Sequence, residues 1–255
     1  MRGFFSDIMK AVSEFKFYKQ AKDFQTSRVL KYFFLMVLLI TLALVARFTY
    51  DMSRGLDMAV DWSLENLPAI EIENGTASVD VKEPYMLEGD DFVFIIDTTG
   101  GITSLDDYET GILLTKNEIQ YKEGGFKTER YDLSRFGSLR IDENFLKALR
   151  KNIMWIIFPF ALAIIFVYIS VARILHVFIF SLISLAASSI ADAKLTYRQL
   201  FNIGIYAITP SAVLGALVAV IGFNIPHFVI LYIGLYTAYL ITAVMNCKEK
   251  PAPTP

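Results

Sequence analysis

Asp97 is the side chain whose neighbours best suit it to acid–base chemistry. It follows the apolar run Phe92-Val93-Phe94-Ile95-Ile96 and precedes Thr98-Thr99-Gly100, so its carboxyl falls where a buried strand meets a turn. Hydrolysis by such a group requires a second carboxylate sharing its proton, and the sequence holds no second copy of the loop. The competing reading is structural: Asp, Thr and Gly close turns by bonding nearby backbone groups. The missing partner favours the turn. Asp90, Asp91, Asp106 and Asp107 lack the ligand spacing and turn glycine of a calcium loop and read as solvated surface. Cys247 is the one cysteine, and His176 and His227 are the two histidines. No Cys/His metal cluster can be assembled from them, no disulfide can form within the chain, and no cofactor is expected.

Arg173 and His176 interrupt an apolar stretch. An ionisable group inside a membrane is a functional candidate by default, whereas one at an interfacial turn costs little. The length of the stretch favours the turn. Asn202, Tyr206, Thr209 and Ser211 place polar groups within another apolar segment, and Pro210 removes a backbone hydrogen bond at its centre. A kinked helix of this kind can line a cavity. Ser211, Gly215 and Ala219 recur every four residues and support close helix packing instead, which is the favoured reading. The candidate functional residues are thus Asp97, Arg173, Tyr206 and Pro210, and no catalytic residue is assigned.

The elements that must position these groups are mostly apolar. Of 255 residues, 55% are hydrophobic, and mean hydropathy is +0.46, which a water-facing surface rarely allows. The apolar residues are also bunched. Leu30–Ala46 carries only Lys31, Ile153–Ala191 only Arg173, and Leu200–Asn246 no charge. Hydrocarbon about 30 Å thick needs about 20 apolar helical residues, so each run can cross a bilayer. The first span is expected over 29–48, with Lys31 and Arg47 snorkelling at its ends. The run from Ile153 is too long for one span and divides into 153–172 and 174–190, with a tight turn at Arg173. Two more spans, 200–221 and 226–245, give about five hydrophobic segments.

Charge sets the expected orientation. Arg2, Lys10, Lys16, Lys19, Lys22 and Arg28 outnumber Asp7, Glu14 and Asp23 in residues 1–28, which lack the apolar core of a signal peptide. Phe4, Phe5, Ile8, Val12 and Phe15 fall at helical spacing and suggest an amphipathic helix on an anionic membrane face. The positive-inside rule puts this segment in the cytoplasm and residues 49–151 outside. Five spans would then export Lys194, Arg198, Lys248 and Lys250. Four spans, with 153–190 crossing once plus a re-entrant piece, would keep them inside, as would an exported N-terminus at the expense of the basic start.

Residues 49–151 hold 21 acidic and 11 basic side chains and read as a soluble, mostly β domain. A short helix over 51–67 ends before Pro68. Ala69–Glu73 and Ala77–Val81 alternate about Asn74-Gly75, a hairpin turn whose residues tolerate positive φ. The same turn explains the glycosylation sequon Asn74-Gly75-Thr76. Further strands are expected at 92–96, 112–114, 118–121 and 126–133, with loops at Pro84 and 88–91. Residues 142–152 form a helical lead-in to the C-terminal bundle of 152–246. The tail 247–255 is expected to be disordered. No basic stripe lies in folded soluble sequence, so nucleic acid is not an expected partner. The fold class is an α-helical polytopic membrane protein with a small, mostly β soluble domain inserted after the first span.

Several motifs carry a resemblance. Pro68-Ala69-Ile70-Glu71-Ile72-Glu73-Asn74-Gly75, Glu83-Pro84-Tyr85, Ile95-Ile96-Asp97-Thr98-Thr99-Gly100 and Gly111-Ile112-Leu113-Leu114 resemble a bacterial membrane family of unknown function. Some of its members are labelled maltodextrin-utilisation proteins. Leu195-Thr196-Tyr197-Arg198-Gln199 through Tyr206-Ala207-Ile208-Thr209-Pro210 is similar to the central signature of Yip-type membrane proteins, which lack a soluble insert and have a further final span. Asp97-Thr98-Thr99-Gly100 resembles the active loop of aspartic proteases, with one extra threonine. The family implies no catalytic residues. The expected role is a non-enzymatic accessory or scaffold protein of the bacterial inner membrane, in contact with lipid, a membrane or envelope protein, or itself. A small-solute transporter or channel subunit is the second reading, and a membrane-tethered aspartyl hydrolase a distant third.

Overall fold

The computed structural model describes residues 2–89, 91–124, 127–190 and 195–247. Asp90, Lys194 and the expected disordered tail from Lys248 lie outside these residues. The chain divides into a helical unit, residues 1–50 with 157–255, and a second unit, 51–156.

The helical unit opens with α1 (Arg2–Ser13), a single 3-10 turn (Phe15–Phe17) and α2 (Tyr18–Ala21). Next comes α3 (Thr26–Asn66), 41 residues long. The sequence divides this stretch into a span and a separate short helix. The helix is continuous because nothing in Phe48–Leu67 removes a backbone donor until Pro68, which restricts the residue before it.

The largest departure is α4 (Glu143–Ile190), one helix of 48 residues. The expected turn at Arg173 is absent. Ala172-Arg173-Ile174-Leu175-His176 contains no Gly, Pro or Asn, and an unbroken helix satisfies each backbone group internally where lipid offers no partner. Asp142 caps the start, its Oδ1 accepting from the Phe145 N–H at 2.9 Å. Then follow α5 (Tyr197–Ala207), α6 (Thr209–Ile221) and α7 (Phe228–Asn246). Among the described residues, four apolar helical stretches are long enough to cross a membrane, α5 and α6 counting as one. The core of the helical unit gathers Tyr18, Phe33, Met36, Leu200, Tyr206 and Tyr236, all fully buried.

The second unit has two sheets. β1 (Ile70–Glu73), β2 (Thr76–Val79) and β8 (Leu139–Ile141) pair antiparallel in the order β2-β1-β8. The β1–β2 hairpin turns on Asn74 and Gly75, at φ 50° and 77°, as both positions of a tight two-residue turn require. The larger sheet runs β3 (Tyr85–Glu88), β4 (Val93–Asp97), β5 (Gly111–Thr115), β6 (Glu118–Glu123) and β7 (Lys127–Asp132) in that order. β4 and β5 are parallel and the other pairs antiparallel. β4 is buried on both faces, which explains its unbroken apolar run. Ile96 joins Ile70, Ile72, Leu114 and Leu133 on one face. Val93 and Ile95 join Leu105 and Leu113 on the other. β3 and β8 were not expected from the sequence.

Candidate functional site

The four residues singled out by sequence do not form one site. Asp97 belongs to the second unit, whereas Arg173, Tyr206 and Pro210 belong to the helical unit. Asp97 ends β4, and its carboxylate is consumed by its own turn. Oδ1 accepts from the Thr99 N–H at 3.0 Å, the Thr99 hydroxyl at 2.6 Å and the Gly100 N–H at 3.1 Å. Oδ2 accepts from the Ile102 N–H at 2.5 Å. Burial opposes ionisation, but these bonds from the Thr99 hydroxyl and the Ile102, Thr99 and Gly100 amides outweigh it. The carboxyl is held below the usual range. The neighbouring Thr98 bonds Glu83 through both its N–H and its hydroxyl. The group is thus an ionised acceptor, built to organise the loop from β4 towards β5.

The polar segment around Pro210 is organised by a break rather than by a kink within one helix. Thr196 and Gln199 form a capping box that starts α5. The helix lapses at Ile208, and Pro210 falls in the first turn of α6, where its missing N–H costs nothing. Tyr206 lies just before the break with its ring 4.4 Å from that of Tyr32 and 5.1 Å from that of Phe17. The Tyr32 and Thr209 hydroxyls bond each other at 2.8 Å. Asn202 donates to the carbonyls of Lys22 and Phe24 at 3.0 and 2.9 Å.

These contacts dock the N-terminal segment onto the bundle. Arg28 pairs with Asp7 at 3.0 Å and lies 3.7 Å over the Phe24 ring. Tyr18 donates to the Ala11 carbonyl at 2.7 Å, and Tyr239 to that of Val12 at 2.9 Å. Asp23 accepts from Gln199 at 2.8 Å, and this bond first, then the Lys22 and Arg198 charges, overcomes its slight burial to lower its pKa. The expected membrane-facing stripe of α1 is corrected: Phe4, Ile8 and Phe15 pack against the helical core. Asp7 and Ala11 are buried against the bundle, while Phe5, Met9 and Val12 form the exposed stripe. Sequence reasoning missed Asp7 and Arg28. A carboxylate among the apolar positions of an amphipathic helix was the available signal.

Arg173 lies within α4 rather than at a turn, its guanidinium 4.1 Å from the centre of the Tyr232 ring. His176, one turn on, has its ring 5.3 Å from that of Tyr236 and 4.7 Å from that of Phe180. Among the described residues, the hydroxyls of Ser181 and Tyr236 are buried without a hydrogen-bond partner, whereas that of Tyr206 faces Arg28 and that of Tyr232 faces Ser211 and Arg173. Such groups can hold ordered water or a small polar solute. Helix packing is closest at Gly204, where a Cβ would meet Val177 Cγ1 at 3.0 Å and the Ser181 and Tyr236 hydroxyl oxygens at 3.2 Å. The expected stripe of Ser211, Gly215 and Ala219 is not a common interface. Ser211 is buried, Gly215 is half-buried and Ala219 is exposed.

Among the described residues, four apolar helical stretches long enough to cross a bilayer, with a buried cluster of aromatic and hydroxyl side chains, match the class of membrane proteins. The chain belongs to the family described as Protein of unknown function (DUF1189), whose model matches residues 5–244. Comparison with curated proteins and with solved structures finds no match.

Proposed function

We propose that this protein is a non-enzymatic accessory or scaffold protein of the bacterial inner membrane, acting through protein–protein contacts. The supporting observation is α4. Of its most apolar stretch 6% is buried, against 39% for α3 and 56% for α5–α6. Phe160, Ile164, Tyr168, Val171 and Leu175 form an exposed stripe along it at the three- and four-residue spacing of one helix face. A helix so little covered by its own bundle presents a face to lipid or to another protein's helix, and the scaffold reading assigns it to a protein.

The chain crosses the membrane four times in this reading. Residues 2–25, the start of α5 and the end of α7 then share one side, and the bonds from Asn202 to Lys22 and from Tyr239 to Val12 support that grouping. Lys10, Lys16, Lys19, Lys22 and Arg198 all fall on it, which the positive-inside rule makes cytoplasmic. The acidic stretch between α3 and α4 is then extracytoplasmic. A sugar-uptake system is a candidate partner through the maltodextrin-labelled members of the resembled family, and the Yip-type resemblance also fits a membrane role without catalysis.

A photo-crosslinking amino acid at Tyr168 tests the scaffold. Capture of a stoichiometric membrane protein or of a second copy supports it, and crosslinks to lipid alone reject it. The buried hydroxyls of Ser181 and Tyr236, unpartnered among the described residues, favour the second reading, a small-solute transporter or channel subunit. Solute flux into liposomes containing only this protein would select it.

A further inference from the structure

A cavity of about 540 Å³ lies between α1 and α3, within the range of about 300–1,000 Å³ typical of small-molecule sites. Its lining is ordered along α3. Arg28 and Lys31 come first, then Tyr32, then Leu35, Leu38 and Leu39. At about 1.5 Å per residue, Lys31 and Leu39 stand roughly 12 Å apart along the axis. Phe4 and Phe5 of α1 form the facing wall, and at Gly3, also in the lining, a Cβ would meet nothing within 4 Å.

The charges in the lining are unequal. Asp7 is spent on Arg28 at 3.0 Å. Lys31 is exposed and has no salt bridge among the described residues, so the cavity keeps one uncompensated positive charge. Its apolar end is open in a different sense. Leu35 and Leu39 are 39% and 42% exposed within a helix of membrane-spanning character, so they face hydrocarbon and not water. A ligand matched to this wall carries negative charge at one end and an apolar chain at the other.

We propose that the α1–α3 cavity binds an anionic phospholipid, with its phosphate at Lys31 and one acyl chain along Leu35, Leu38 and Leu39. Lys31 supplies the preference for negative charge, and the leucines distinguish a lipid from a free anion. Phe5, in the cavity wall, continues along α1 into the exposed Met9 and Val12, a second apolar contact for the same lipid layer.

The test uses the full-length chain, purified in a neutral detergent and exchanged into mixed micelles of phosphatidylglycerol and phosphatidylcholine. Native mass spectrometry then reads the lipid that is retained. Phosphatidylglycerol is expected to be retained over phosphatidylcholine, Lys31→Ala to weaken its retention about fivefold, and Lys16→Ala, at an exposed lysine outside the cavity, to leave it unchanged. Leu38→Trp, checked for an unaltered melting temperature, is expected to abolish retention by filling the cavity. Equal retention of the two lipids would overturn the proposal, as would equal losses in Lys31→Ala and Lys16→Ala. Displacement of phosphatidylglycerol by millimolar inorganic phosphate would identify a free-anion site and overturn it as well.

Discussion

The hydroxyls of Tyr32 and Thr209 lie 2.8 Å apart in the buried interior of the helical unit, although 177 positions separate them in the chain. This bond joins α3 to the first residue of α6, beside the break at Ile208. Tyr32→Phe leaves the Thr209 hydroxyl buried and unpaired, and is expected to destabilise the bundle by about 1–3 kcal/mol. The double variant Tyr32→Phe/Thr209→Val removes both polar groups and is expected to recover much of that loss. Thermal melts of the four proteins in one detergent form the cycle, and strictly additive losses would refute the coupling.

Asp97 makes the second unit sensitive to acid. Its carboxyl is held below the usual value by its turn bonds, so the ionised form stabilises the fold. That contribution is fully present above the unfolded pKa of about 3.9 and is lost as pH falls through the lower folded value. Asp97→Asn is expected to cost about 1–3 kcal/mol, since an amide NH2 would face the Ile102 N–H, and to flatten this part of the pH profile. Hydrogen exchange at Thr99, Gly100 and Ile102 between pH 3 and 6 (roughly the carboxylate range) reads both effects. An unchanged profile in the variant would assign the acid sensitivity to another group.

Gly204 is expected to tolerate no larger residue. Gly204→Leu should lower stability by about 1–3 kcal/mol through overpacking, because the first added carbon already meets Val177 at 3.0 Å. Val177→Ala should partly rescue Gly204→Ala. Melting temperatures decide the point, and a Gly204→Leu protein as stable as the parent would disprove the close approach.

Membrane sidedness is best read with introduced cysteines. Cys247 is buried, so its failure to react with an impermeant thiol reagent would report packing as much as sidedness. In a Cys247→Ser background, Asn224→Cys in the α6–α7 loop is expected to label in intact cells. Lys19→Cys is expected to label only after lysis. Labelling of both positions in intact cells would reject four crossings with a cytoplasmic N-terminus.

Local chemistry was the part of the fold legible in the sequence. Asn74-Gly75 specified its hairpin because both positions need positive φ, and the doubly buried β4 announced itself as an apolar run. β3 was hidden because Tyr85-Met86-Leu87-Glu88 has no alternation and becomes a strand only by pairing with β4. β8 has three residues, too few for a period. A turn at Arg173 was expected because the apolar run around it is too long for one span. Arg173 lies instead against the ring of Tyr232, a tertiary contact that no local pattern encodes. Tyr206 and Pro210 stand out in the sequence as polar and helix-breaking residues in an apolar run, whereas the contacts of Asp7, Arg28 and Tyr32 arise only once α1 is folded back onto the bundle.

The bond from Tyr239 to the Val12 carbonyl has a bearing on how the protein is made. Translation delivers residues 2–24 well before α7, one of the surfaces they pack on, which emerges more than two hundred residues later. Until then Phe15, Phe17 and Tyr18 lack part of their cover. A chain arrested before α7 would keep that aromatic cluster open to proteases and chaperones. Completion of α7 is therefore also the step that seats α1.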